Sequence, residues 1–112
     1  MNHVSLVGRL SRAPSVKVEG ESQTATFTLA VTEHAYSAEH KSYVLYVPCT
    51  SWGKAAETCS LLNTQDLVSI EGKLTWRPRK RKCGQEHSEL VVSVRDVAVL
   101  SGVPAQAVGR SN

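Results

Sequence analysis

Tyr46 and Trp52 stand six residues apart, on the same parity of the stretch from Tyr43 to Trp52, so an extended strand raises both rings from one surface. A ring presented in this way is suited to stacking on another flat π-system. From Arg77 to Lys82 five of six residues are basic, namely Arg77, Arg79, Lys80, Arg81 and Lys82, and Arg9, Arg12, Lys17, Lys54 and Lys73 add cations elsewhere. The whole chain has 13 Lys and Arg against 10 Asp and Glu, a formal charge of +3, so the surplus is concentrated in one segment. Rings beside a local positive field call for a ligand with flat faces and negative charge.

Other chemistries find little support. There is no nucleophile with a partnered base, no Ser-His-Asp spacing and no phosphate-cradling Gly loop, so the chain is not expected to be an enzyme. His3, His34, His40 and His87 are scattered, and Cys49, Cys59 and Cys83 form an odd set without Cys-x-x-Cys spacing, which argues against a metal site or a disulfide framework. Cys49 and Cys59 fit core positions; Cys83, among cations, reads as a passive thiol. No cofactor is implied. No run of about 18 apolar residues is present, and the opening residues lack the regions of a signal peptide, so the cytoplasm is the expected place, with no membrane partner.

These residues need a scaffold, and 112 residues allow one compact domain. Val4, Leu6, Gly8 and Leu10 alternate with Ser5, Val7 and Arg9 as in a strand with one face on a core. A short Val16-Lys17-Val18 piece precedes a clear strand in which Ala25, Phe27, Leu29 and Val31 alternate with Thr24, Thr26, Thr28 and Ala30. Residues 33–41 read as a loop. The next strand, Tyr43 to Trp52, assigns Tyr43, Leu45, Val47 and Cys49 to the core and Tyr46, Pro48, Thr50 and Trp52 to the outside.

Lys54 to Leu62 is the one helical stretch, with Ala55, Cys59 and Leu62 on a common face. A fourth strand follows through Val68, Ile70, Gly72 and Leu74, where Gly72 permits a bulge or sharp coiling. It leads through the basic run and a turn at Gly84-Gln85 to a fifth strand at Leu90, Val92 and Val94, extended by Val97 to Leu100. Residues 1–101 form the expected domain, and 102–112 a flexible C-terminal tail. Five strands with one short helix between the third and the fourth is the order of an OB-fold, an all-β Greek-key barrel.

Several segments carry a resemblance. Asn2-His3-Val4-Ser5-Leu6-Val7-Gly8-Arg9-Leu10 with Arg12-Ala13-Pro14, Phe27-Thr28-Leu29-Ala30-Val31, Ser51-Trp52-Gly53-Lys54-Ala55-Ala56-Glu57 and Val68-Ser69-Ile70-Glu71-Gly72-Lys73-Leu74 resemble, in this order and spacing, the bacterial single-stranded DNA-binding proteins. The resemblance covers residues 2 to about 100. It implies an OB-fold that binds single-stranded DNA with little sequence preference, protecting it during replication, recombination or repair, and that assembles as a homodimer or homotetramer.

Carried over residue by residue, the resemblance places stacking aromatics at Trp52 and Tyr46. A third family aromatic aligns with Arg79, so it is displaced or replaced, with Trp76 three residues earlier; Trp76 shares the parity of Leu74, which also suits a core or subunit contact. A fourth falls near Ala35 or Tyr36, of which Tyr36 is favoured. Arg9, Arg12, Lys54, Lys73 and the run from Arg77 to Lys82 would supply the cations, with Lys17 a weaker candidate. The chain departs from the family at its end, since nothing acidic follows Asp96, where the family carries an acidic tip that recruits replication and repair proteins. The alternative is a shorter, dimeric primosomal relative, a replication-restart adaptor acting mainly through protein contacts.

Overall fold

Alternation of apolar and polar residues becomes a strongly bent sheet in the computed structural model, which describes residues 1–34, 42–80 and 82–101. Its elements are β1 (Val4–Leu10), β2 (Ser15–Glu19), β3 (Ser22–His34), β4 (Ser42–Trp52), the helix α1 (Gly53–Cys59), β5 (Leu67–Lys80) and β6 (Glu86–Ser101). The sheet order is β1-β5-β6-β4-β3-β2, and an additional pairing of β1 with β3 at Arg9↔Ala30 and Leu10↔Leu29 closes it into a barrel. All pairings are antiparallel except the short one between β4 and β6. This is the expected OB-fold, with a sixth strand: the Val16-Lys17-Val18 piece is β2, a hairpin partner of β3.

The parity of β3 decides what lies inside. Ala25, Phe27, Leu29 and Val31 are buried, and together with Leu10, Cys49, Val68, Ile70, Val92 and Val94 they make the core. Full burial of each Leu, Ile or Val there contributes about 1.5–3 kcal/mol relative to exposure. Ser51, fully buried opposite Ala25, is tolerated because its Oγ donates to the Ala25 carbonyl at 3.0 Å. α1 packs against β3, β4 and β6. It is shorter than the expected 54–62 span and buries Ala56 and Cys59; Ala55 is only half-buried, while Leu62 reaches the core from beyond the helix end.

Two expectations about the inner face fail for one reason. Tyr43 and Leu45, which parity assigns to the core, are both exposed, because the β3–β4 ribbon runs past the barrel to a level where none of the described residues forms a second layer over it. β5 and β6 likewise pair out to Lys80↔Glu86, so the start of the basic segment lies on the paired arm of a hairpin. Leu74, Trp76 and Leu90 share a face of that arm and are exposed. The predicted tail, 102–112, lies outside the described residues.

Candidate nucleic-acid interface

Strand alternation puts Tyr46, Pro48, Thr50 and Trp52 on one face of β4, where Thr50, expected outside, is buried and Tyr46 and Trp52 are exposed. The register sets Ala30, Thr28, Thr26 and Thr24 directly beside them on β3, so the rings rise from a floor of small side chains. On the other flank β6 meets β4 at Thr50↔Ser93, and β5 meets β6 at Lys73↔Ser93, Thr75↔Val91 and Arg77↔Glu89, which turns Lys73, Thr75 and Arg77 to the same outer face. Tyr46 is 66% and Trp52 53% exposed, so neither ring is consumed by the core.

Four clefts follow this row. At one end a cleft of about 490 Å³ lies between Tyr46, Val44, Ala30 and Arg9. Next comes one of about 390 Å³ lined by Pro48, Thr26, Thr28, Ser15, Arg12 and Arg77. A small one of about 160 Å³ has Thr50, Trp52, Thr75, Arg77 and Val91 on its walls and also borders Trp76. At the other end one of about 510 Å³ lies between Trp52, Lys54, Lys73, Arg95 and Asn2. Each cleft has at least one cation, and no Asp or Glu lines any of the four.

Local structure explains how the cations arrive. Gly53 has φ +60, a conformation that favours glycine, and so turns the chain sharply from β4 into α1; Lys54 then shares a cleft with Trp52. Gly72 lies at a register shift between Glu71 and Gly72, and a Cβ there would stand 1.9 Å from the Ser93 carbonyl oxygen. That close approach of β5 to β6 brings Lys73 and Arg95 to one cleft. Asn2 holds the rim, accepting from the Leu74 N–H and donating to the Leu74 carbonyl, each at 2.8 Å. Arg9 is steadied by donation from Nη1 to the Gln65 carbonyl, 2.8 Å.

The predicted site residues therefore divide. Trp52, Tyr46, Arg9, Arg12, Lys54, Lys73 and Arg77 come together on one face. Arg77 differs from the expectation of a free cation, because its guanidinium is paired with the Glu89 carboxylate across the strand pair. Trp76 is 65% exposed, but alternation turns its ring to the opposite face of the arm, with Leu74 and Leu90. Lys82 is exposed beyond the arm, and Lys17 sits at the β2 edge, 3.0 Å from Glu19. Tyr36, Arg81 and the side chains of Arg79 and Lys80 lie outside the described residues. Arg95 was missed; its only sequence signal is a basic residue near the end of an apolar alternation.

The buried thiols play no part in this face. Burial pushes the Cys49 thiol up to about 12, with the nearby Cys59 adding to it, and burial raises Cys59 too, against a lowering influence of the Ser51 hydroxyl. Among the described residues no three His, Cys, Asp or Glu gather as a metal site, and no helix is long and apolar enough to cross a membrane.

An OB barrel with rings and cations along one outer face is the architecture of an oligonucleotide-binding module. Residues 1–100 match the model of the single-strand binding protein family, and the chain belongs to that family. It is 32% identical, over 97% of its length and 77% of the relative's, to a single-stranded DNA-binding protein of Clostridium tetani. It is 31% identical, over 89% of its length and 77% of the relative's, to single-stranded DNA-binding protein 2 of Clostridium acetobutylicum. Single-stranded DNA-binding protein A of Bacillus subtilis is 30% identical over 76% of this chain and 51% of its own. These matches do not favour the restart-adaptor alternative.

Proposed function

We propose that the protein holds single-stranded DNA along the outer face of β4 with little sequence preference. Bases stack on Trp52 and Tyr46, while Arg9, Arg12, Lys54, Lys73 and Arg95 neutralise phosphates on either side. The observation that carries this reading is the row of four clefts beside the two rings, each with a cation and none lined by a carboxylate. Family membership supports it independently. The protein would keep DNA unpaired and protected during replication, recombination or repair in the bacterial cytoplasm or nucleoid.

Self-association as a homodimer or homotetramer belongs to the same proposal. It is supported by the second edge of β1, which meets β3 only at Arg9 and Leu10, leaving residues 4–8 with unpaired backbone groups on that side among the described residues. Titration of tryptophan fluorescence with dT oligonucleotides of increasing length, at several salt concentrations, tests the function. Quenching is expected, with log K falling against log salt at a slope of about −3.5 if five cations each neutralise one phosphate. A flat salt response, or full-strength binding of duplex but not of oligo-dT, would overturn the proposal.

A further inference from the structure

Two buried hydroxyls stand next to each other on β4 and have opposite fates. Ser51, on the inner face, donates to the Ala25 carbonyl at 3.0 Å. Thr50, on the groove face and 3% exposed, makes no side-chain hydrogen bond among the described residues. Thr26 on β3 and Ser93 on β6 flank it in register, so β4 is covered on both sides here, and of the four clefts Thr50 lines only the small one beside Trp52. A buried hydroxyl left unmet is costly, and in native proteins such a group is met by a water or a ligand.

The small cleft has the form of a slot. Val91, 1% exposed, lies at its bottom with Thr50, and Trp52, Thr75 and Pro78 stand around it. Its volume of about 160 Å³ compares with about 390 to 510 Å³ for the other three. A flat, largely apolar group with hydrogen-bonding atoms on its rim suits an apolar floor that carries a hydroxyl. A threonine hydroxyl rotates, so it can donate to a ring acceptor or accept from an exocyclic amine with equal ease.

On the reading given under Proposed function, we infer that the small cleft is a slot for the edge of one nucleobase, and that Thr50 is the residue that hydrogen-bonds this edge whichever base it belongs to. The contact is distinct from stacking, since it reads the rim of the base and not its face. It involves no charge, so it resists salt. The free protein carries the cost of the unmet hydroxyl, and bound DNA removes it.

The test compares two oligonucleotides on the full chain: oligo-dT, and the same length built from difluorotoluene nucleotides, which keep the shape and stacking face of thymine but lose its hydrogen-bonding edge. Thr50→Val removes the hydroxyl at nearly constant volume. It should weaken oligo-dT binding about two- to ten-fold at every salt concentration, with the salt slope unchanged. Its melting temperature should equal or exceed that of the parent, because no hydrogen bond of the free protein is lost, and Thr50→Ser should bind as the parent does. The parent should prefer oligo-dT to the analogue, and Thr50→Val should show that preference reduced by the same factor. Full affinity in Thr50→Val, or a lowered melting temperature, would assign the hydroxyl to a water or to the fold and overturn the slot. Equal binding of the two oligonucleotides by the parent would overturn it with no variant at all. Each of these results leaves DNA binding upheld by the salt-dependent titration of the parent with oligo-dT; if the parent fails to bind oligo-dT, both readings fall together.

Discussion

Trp52 concentrates several demands on one residue. It ends β4, precedes the Gly53 turn and walls two of the four clefts, so its ring is fixed by backbone that the barrel already holds. Trp52→Ala should therefore cost about 1–3 kcal/mol of oligo-dT binding with little loss of stability, because the ring is half exposed. Unchanged affinity in a folded variant would remove it from the site. The common face of Tyr46 and Trp52 was legible in the sequence because a period of two is a local property of extended chain. The neutralisation of Arg77 was not, since Glu89 is 12 residues away and only the hairpin register sets the two side by side.

Element by element, alternation found the strands and misjudged where they leave the barrel. Parity separates two faces of a strand, but whether the inner one is covered depends on how far a second layer reaches, and Tyr43, Leu45 and Leu74 lie past that limit. Arg95 escaped notice because the register shift at Glu71/Gly72 belongs to a strand pair and not to either strand alone. The same irregularity makes β5 sensitive. At Gly72 an added Cβ meets the Ser93 and Val94 backbone, which cannot swing aside like a side chain. Gly72→Ala should destabilise the fold by about 1–3 kcal/mol or more and spread the cleft between Lys73 and Arg95. Chemical denaturation reads the first effect, and a variant as stable as the parent would show that β5 and β6 part there at little cost.

For the molecule as a whole, the buried thiols link the core to pH. Cys49 titrates at about 12 in the folded protein, against an ordinary value of 9.0. Because the folded value is raised, the contribution of the protonated thiol is fully present below about pH 9 and is lost as pH rises through about 12. Stability should fall over that window, and Cys49→Ala should flatten the fall while lowering stability at neutral pH through the cavity it leaves. Melting temperatures from pH 8 to pH 11 measure both; an identical alkaline decline in the variant would assign it to other groups.

The two rings on one stiff strand also act as a gauge. At about 3.3 Å per residue, Tyr46 and Trp52 are separated by about 20 Å along β4. A stretch of bases too short to bridge that distance can lie on one ring or the other but never on both. Avidity within a single barrel thus begins at a minimum tract length set by the spacing of two side chains, and a population of shorter fragments is left to pass by.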